Sequence, residues 1–170
     1  LTVLIPFFNE EGNIDPVLDE VHAQLDGIAF EVICVNDGSK DATSDELAAY
    51  SARHPDTVRV FNHVEQAGKS AALFTGLREA RGEWTQLLDG DGQNDPADIP
   101  RLIEKATQEK EAHFCVIGHR QKRQDTHWKR LQSKVANRVR QWILQDDTPD
   151  TGCGLKLLPR ATFLMLPYFD

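Results

Sequence analysis

The hydrophobic pattern of this chain alternates between two kinds of segment. Short apolar runs rich in β-branched residues predict buried strands, and they lie at residues 2–7, 30–36, 58–62, 84–88, 112–118 and 154–158. Between these runs, apolar positions recur with helical spacing and predict helices that begin near residues 15, 43, 67, 95 and 126. Because strands and helices alternate throughout, the pattern predicts an α/β fold with a doubly wound, mostly parallel sheet flanked by helices.

Two of the predicted helices begin at capping sequences. Thr43 and Glu46 have the spacing of a capping box, in which each side chain bonds the backbone N–H of the other residue. Asp95 before Pro96 combines a capping carboxylate with a φ angle that suits the first helical position. Each of these helices therefore begins directly after a loop that leaves a predicted strand.

The loop after the predicted strand at 84–88 brings two carboxylates close together. Asp89 and Asp91 are separated by a single glycine, Gly90, and Gln93 follows them. Oxygen ligands of this kind suit Mg²⁺ or Mn²⁺, and open α/β sheets bind ligands at the carboxyl ends of their strands. We therefore predict a divalent-metal site made by Asp89, Asp91 and Gln93, with open positions for phosphate oxygens.

The sequence of this acidic loop also suggests two other interpretations. An EF-hand loop also begins with Asp-x-Asp, but it needs glycine at its sixth position and glutamate at its twelfth. This chain has Asn94 and Pro100 there, which excludes an EF-hand. A plain solvated turn stays open as an alternative, since Gly-Asp-Gly favours turns.

Polar residues also follow the first two predicted strands. Asn9 and Glu10 come after the first strand, and Asp37, Gly38 and Ser39 come after the second. In a doubly wound sheet these loops meet the acidic loop at one edge, which predicts a single ligand site. A plain turn is the alternative for the segment that begins at Asp37.

The segment Gly68-Lys69-Ser70 raises the possibility of a P-loop. That motif requires a glycine five residues before Gly68, and His63 stands there, so a P-loop is excluded. We expect instead a helix N-terminus near a nucleotide, with a simple helix start as the alternative. The six histidines show no metal-ligand spacing and are interpreted as bystanders, apart from His119 beside Arg120.

Composition narrows the class of protein. A hydrophobic content of 40% and a charged content of 27% are ordinary for a globular domain, and no apolar run is long enough to span a bilayer. The net charge of −8 argues against nonspecific nucleic-acid binding. Three widely spaced cysteines form no disulfide framework and indicate a reducing, cytosolic environment. We expect one domain over residues 1–170, from a native protein that extends beyond both ends.

Basic residues are concentrated near the C-terminal part of the chain. Eight of the nineteen Lys and Arg residues, with Asp125 as the only acid, lie between Arg120 and Arg140. The predicted helix there has an apolar stripe, which can pack on the sheet or lie at an anionic membrane surface, and these two interpretations do not exclude each other. This concentration of charge predicts an anionic partner.

Three motifs of this chain resemble those of glycosyltransferase family 2. They are IPFFNEE at residues 5–11, VNDGSKDAT at 35–43 and DGDGQ at 89–93, and they occur in the order and spacing of that family. The resemblance covers nearly the whole chain. It implies the GT-A nucleotide-sugar-binding fold and a hexosyltransferase activity that depends on Mg²⁺ or Mn²⁺.

Other segments resemble the polyprenyl-phosphate glycosyltransferases of that family, a group similar to dolichol-phosphate mannosyltransferase. They are QAGKSAAL at residues 66–73, GHR at 118–120, WKRLQS at 128–133 and DTGCGLK at 150–156. The family motif has serine where His119 stands. This likeness implies a UDP- or GDP-sugar donor and a polyprenyl phosphate acceptor.

The resemblance also implies roles for individual residues. Asp89, Asp91 and Arg120 would be catalytic, and Arg120, Lys129 and Arg130 would bind the acceptor phosphate. The nucleotide would be bound by Pro6, Phe8, Glu10, Val35, Asp37, Gly68, Lys69, Asp89, Gly90 and Asp91.

The implied acceptor predicts the mechanism. A phosphate is already anionic at neutral pH and can attack the anomeric carbon without a general base, with inversion. We expect the enzyme at the cytoplasmic face of a membrane, peripheral or anchored by other segments. A transferase acting on a glycan hydroxyl and a noncatalytic nucleotide-binding module are the alternatives. A dinucleotide-binding oxidoreductase is disfavoured, because no GxGxxG follows the first strand.

Overall fold

A computed structural model describes residues 1–118 and 153–166, and these ranges form an α/β domain. Its strands are β1 (Thr2–Phe7), β2 (Glu31–Asn36), β3 (Val58–Asn62), β4 (Trp84–Leu87), β5 (Val116–Ile117) and β6 (Lys156–Pro159). Its helices are α1 (Ile14–Gln24), α2 (Thr43–Arg53), α3 (Lys69–Glu79), α4 (Ile99–Gln108) and α5 (Arg160–Leu164), with a 3₁₀ turn at Pro96–Asp98. None of these helices is long and apolar enough to cross a membrane.

The described strands form one mostly parallel sheet. Their order is β3-β2-β1-β4-β6-β5, and β1 pairs in parallel with both β2 and β4. β6 runs antiparallel to β4 and to β5. This arrangement confirms the predicted mostly parallel sheet. It also places β1 between the two strands whose loops carry Asp37 and Asp89.

Helices cover both faces of the sheet, as a doubly wound fold requires. On one face, the apolar sides of α1, α2 and α4 pack against Val3, Ile5 and other buried residues of the strands. On the opposite face, α3 packs against Leu4 and Ile33, and Gly76 of α3 leaves no room for a Cβ against the Leu4 side chain. Both faces are therefore buried, which explains the continuous apolar runs in β1 and β2.

The last two strands of the chain, β5 and β6, are shorter than the pattern predicted. The apolar run at 112–118 yields only Val116–Ile117, because the residues before it are mostly exposed and β5 pairs on one side only, with β6. β6 begins two residues later than predicted and ends one later. Central strands, buried on both faces, match the predicted boundaries more closely.

The predicted capping box at Thr43 and Glu46 is wrong. The N–H of Thr43 donates instead to Oδ1 of Asp41, at 3.1 Å, and helix α2 has Ala42 at its N-cap. Oε2 of Glu46 accepts a bond from the N–H of Gly12, at 2.9 Å, rather than from Thr43. Local spacing cannot reveal this, because the partner of Glu46 lies 34 residues away along the chain.

Candidate functional site

The predicted ligand loops meet around one cleft at the carboxyl edge of the sheet. The cleft has a volume of about 290 Å³, at the small end of the range for ligand sites. The end of β1, the loops after β1, β2, β3 and β4, and the first residue of α3 line it: Pro6, Phe7, Phe8, Glu10, Asp37, Gln66, Lys69, Asp89, Gly90 and Asp91. The structure therefore brings together most of the residues predicted to bind a nucleotide.

The loop after β1 is held by side chains from the loop and helix after β2. The N–H of Asn9 donates to Ser39 Oγ at 3.0 Å, and the N–H of Glu10 donates to Thr43 Oγ1 at 2.8 Å. In return, Asn9 Oδ1 accepts from the N–H of Lys40 at 2.9 Å, and Asn9 adopts a left-handed backbone with φ of 54°. The first two family motifs therefore support each other and fix Glu10 at the cleft.

Asp37 is the most enclosed carboxylate of the cleft. Its side chain is 4% exposed, and it accepts bonds from the N–H of Ala67, the N–H of Gly68 and Nδ1 of His63, at 2.7 to 2.9 Å. Burial opposes ionisation, but these hydrogen bonds outweigh it and hold the pKa of Asp37 below its ordinary value. Asp37 is therefore a fixed anion at the N-terminus of α3.

Asp89 is held between a cation and a glycine. Nζ of Lys69 contacts Oδ1 of Asp89, which joins the start of α3 to the loop after β4. On the other side, a methyl group at Gly154 would lie 2.5 Å from Cγ of Asp89 and 2.8 Å from Nδ2 of Asn94. The orientation of Asp89 therefore depends on Lys69, and on the absence of a side chain at residue 154.

Asp91 lines the same cleft on a short turn. Its Oδ1 accepts the N–H of Gln93 at 3.0 Å, and no ion pair among the described residues involves Asp91. The side chain of Gln93 is exposed and is not among those that line the cleft. The structure thus gives Gln93 a backbone role in orienting Asp91, and its predicted role as a metal ligand stays a prediction.

The chemistry of the acidic pair fits a divalent cation. Asp89 and Asp91 offer carboxylate oxygens, and the ammonium group of Lys69 already contacts one of them. Among the described residues, no group of three or more His, Cys, Asp or Glu side chains could hold a metal by itself. A cation at this pair would therefore depend on further oxygens from a ligand or water.

Val35 does not fit its predicted place in the nucleotide pocket. It lies in β2 with no exposed surface, and its side chain packs with Leu4 and Ile33 beneath α3. Successive side chains of a strand point to opposite faces, so Val35 belongs to the core. Gly68 also lies outside the cleft lining and acts through its bond to Asp37.

Two residues that line the cleft, and one that holds a carboxylate of the cleft, were not predicted from the sequence. Phe7 and Gln66 line the cleft, and His63, interpreted as a bystander, holds Asp37. Phe7 and Gln66 belong to segments that carry the family resemblance, whereas the contact between His63, just after β3, and Asp37 leaves no sequence pattern. The predicted acceptor-binding residues Arg120, Lys129 and Arg130 lie outside the described residues.

Comparison with known proteins shows which family this chain resembles. A family model described as glycosyl transferase family 2 matches residues 2–164. An undecaprenyl-phosphate 4-deoxy-4-formamido-L-arabinose transferase of Pseudomonas aeruginosa is 35% identical over 165 residues, or 95% of this chain and 47% of that protein. A dodecaprenyl-phosphate galacturonate synthase of Rhizobium johnstonii is 32% identical over 92% of this chain and 47% of that protein. The chain thus spans about half the length of these relatives.

Solved structures share the fold. A mannosyltransferase from Pyrobaculum calidifontis, in complex with GDP-mannose and Mn²⁺, superposes with a TM-score of 0.73 and 25% identity over 99% of this chain and 47% of that one. A glucosyl-3-phosphoglycerate synthase from Mycobacterium tuberculosis, in complex with UDP, gives 0.71 and 21% over 94% and 56%. The fold is GT-A, as predicted, and the chain belongs to glycosyltransferase family 2.

Proposed function

We propose that this protein transfers a sugar from a nucleotide-sugar donor to a polyprenyl phosphate, with inversion at the anomeric carbon and with the help of a divalent cation. The observation that carries the proposal is the convergence of Asp37, Lys69, Asp89 and Asp91 on one cleft at the carboxyl edge of the sheet. Membership of glycosyltransferase family 2 supports the reaction type.

The charge of the cleft supports the need for a cation. Four carboxylates line it, those of Glu10, Asp37, Asp89 and Asp91, while Lys69 is its only cation among the described residues. A nucleoside diphosphate is itself anionic, and it would be repelled by the carboxylates of this partly enclosed cleft. A divalent cation at Asp89 and Asp91 would reduce this repulsion and stabilise the diphosphate as it departs. The Mn²⁺ in the similar mannosyltransferase structure agrees with this choice.

Different residues of the chain would bind different parts of the donor. Asp37, at the end of β2, would face the nucleoside, and Asp89 and Asp91, at the end of β4, would face the diphosphate. Lys69 reaches from α3 to Asp89, so its ammonium group would lie beside the phosphates. In this arrangement the fold contributes orientation and electrostatic stabilisation rather than a proton-transfer group.

The nature of the acceptor is supported by the relatives, whose names state undecaprenyl phosphate and dodecaprenyl phosphate. Arg120, Lys129 and Arg130 would bind the acceptor phosphate at the cytoplasmic face of a membrane. The rate should rise with pH as the phosphate loses its second proton near about pH 6, and then stay level. If Asp150→Asn shifts the pH at which the rate rises, a protein base and a hydroxyl acceptor would be indicated instead.

The reaction can be tested with the full-length protein and a panel of UDP- and GDP-sugars. Mass spectrometry should detect glycosylated undecaprenyl phosphate with one of these donors, and no product when a glycan replaces the lipid phosphate. Transfer to the glycan alone would refute the acceptor assignment. Binding of nucleotide without transfer to any acceptor would leave a noncatalytic module.

The cation can be tested separately by calorimetry. The protein should bind a nucleoside diphosphate more tightly with Mn²⁺ than with a chelator, and Asp91→Ala should abolish this difference. Asp98→Ala is the matched control, because Asp98 is an exposed acid of the next turn that does not line the cleft. Equal affinity with Mn²⁺ and with chelator would remove the metal from the mechanism.

A further inference from the structure

The ammonium group of Lys69 occupies the oxygen of Asp89 that a metal ion could reach most easily. Nζ of Lys69 contacts Oδ1 of Asp89. The other oxygen, Oδ2, is the atom that a methyl group at Gly154 would meet first, and Gly154 does not line the cleft. Because Oδ2 is turned towards Gly154, Oδ1 is the better placed oxygen for a cation in the cleft. In the ligand-free protein, that cation is Lys69.

A divalent cation that arrives alone would find few ligands at this place. Oδ1 of Asp91 already accepts the N–H of Gln93 at 3.0 Å. No group of three or more His, Cys, Asp or Glu side chains in the described part of the chain could hold a metal. The ion would have to displace the ammonium group from Asp89 or bind beside it, and two cations at one carboxylate repel each other. Lys69 therefore opposes binding of the metal by itself.

The contact with Asp89 leaves Lys69 free to move once another anion is present. Asp89 is its only ion-pair partner among the described residues, and the Lys69 side chain is 57% exposed. A lysine carries its charge on a flexible four-carbon stem. A nucleoside diphosphate would bring oxygens for both cations, since some could complete the ligands of the metal and others could accept from the ammonium group.

We propose that Lys69 is a positioning residue that holds Asp89 in the metal-free protein and admits the divalent cation only together with the donor diphosphate. When both ligands bind, the ammonium group leaves Oδ1 of Asp89 for a phosphate oxygen, and the metal takes its place. Coupling between two binding sites is reciprocal, so the metal and the nucleotide raise each other's affinity by one factor, which Lys69 enlarges. This inference rests on the proposed function and adds to it the residue that couples its two ligands.

The test measures Mn²⁺ binding to the full-length protein without any nucleotide. Electron paramagnetic resonance counts the free Mn²⁺, and Lys69→Met removes the charge while keeping an unbranched side chain. Mn²⁺ alone should bind Lys69→Met roughly three- to fivefold more tightly than the unmodified protein, because the competing ammonium group is gone. Calorimetry then measures UDP and GDP binding with saturating Mn²⁺. The nucleotide that binds more tightly should lose roughly tenfold in affinity in Lys69→Met, since its phosphate loses a charged donor.

Three further variants isolate the role of the ammonium group. Lys105→Met is the matched control for net charge, because Lys105 is exposed on α4 and does not line the cleft. It should leave both affinities unchanged. Lys69→Arg keeps the cation and should bind Mn²⁺ alone as weakly as the unmodified protein does. In the double variant Lys69→Met with Asp91→Ala, the gain in Mn²⁺ binding should disappear, which places the additional metal at the acidic pair.

The direction of the change in Mn²⁺ affinity decides between the possible roles of Lys69. Weaker binding of Mn²⁺ alone in Lys69→Met would make the lysine a support of Asp89, and unchanged binding would make it a ligand of the nucleotide only. Either result would overturn the inference, as would an equal gain in Lys105→Met or a gain that persists in the double variant. All of these results leave the proposed function intact while nucleotide binding to the unmodified protein still depends on Mn²⁺. Equal nucleotide affinity with Mn²⁺ and with chelator would overturn the cation of the proposed function as well.

Discussion

Replacing Gly154 by alanine should impair metal binding by Asp89 and Asp91, although both carboxylates remain. Gly154 precedes β6, and a methyl group there would lie 2.5 Å from Cγ of Asp89, and closer still to Oδ2. Real Cβ atoms essentially never approach another heavy atom to within 3.0 Å. The backbone of Gly154 has no positive φ, so lack of space is the only obstacle to alanine. Either the carboxylate or the chain at β6 must therefore move.

The size of the effect follows from this distance. To reach 3.0 Å from a methyl group, Cγ of Asp89 has to move by at least 0.5 Å, and its nearer oxygen by more. Functional groups act well only when held within about 0.5 Å of their working geometry, and a misplacement of 1 Å can cost about a hundredfold. We therefore expect metal-dependent nucleotide affinity to fall roughly ten- to a hundredfold in Gly154→Ala.

Calorimetry with UDP and Mn²⁺ measures this loss, and urea unfolding monitors the fold. Gly118→Ala is the matched control, because a methyl group there would meet Cys153 and Leu155 at 3.2 Å but not Asp89. Both variants should lose about 1–3 kcal/mol of unfolding free energy from overpacking, and only Gly154→Ala should lose affinity. Unchanged nucleotide affinity in a folded Gly154→Ala protein would refute the reasoning.

Three further predictions concern single side chains. Tyr50→Phe should lower the unfolding free energy by about 1 kcal/mol in urea titrations and leave nucleotide affinity unchanged, because the Tyr50 hydroxyl donates to Asp19 at 2.8 Å away from the cleft. The pKa of Asp37 is lowered on folding, so its ionisation stabilises the fold above about pH 4. This stabilisation is lost as pH falls through the lowered pKa. In Asp37→Asn, the urea midpoint should therefore depend less on pH in this acidic range. Arg120→Ala should raise the acceptor KM roughly ten- to a hundredfold in transfer assays, with nucleotide affinity unchanged.

The fold was predictable because its central strands obey a simple rule. β1 and β3 have the boundaries that the pattern predicted, and β2 begins one residue later. β1 and β2 lie inside the sheet and are buried on both faces, so apolar content alone marks them, whereas β3 keeps its predicted boundaries although it is an edge strand that pairs only with β2. The other edge strand, β5, follows the exposed residues Ala112 and His113, and the pattern overestimated its length.

The sequence predicted those residues of the cleft that lie in the loop directly after a strand. Asp37 follows β2 directly, and Asp89 and Asp91 lie within four residues of the end of β4. The rule that parallel strands share a carboxyl edge therefore predicts that they meet. What the sequence could not indicate are bonds between distant segments, such as His63 to Asp37 or Glu46 to Gly12. A side chain with two possible partners gives no local sign of which one it selects.

The two glycines around Asp91 illustrate the same limit within one short motif. Gly92 has a φ of 68°, which an L side chain rarely adopts, and the space around it is open apart from Val17 at 3.9 Å. Gly90 has no such backbone, yet a methyl group there would meet the ring of Phe7 and lie 3.0 Å from the carbonyl oxygen of Pro6. Glycine is therefore required at 92 by conformation and at 90 by packing against β1. Turn chemistry accounts for the first, but only the contact with β1 explains why Asp89 and Asp91 lie so close to the first strand.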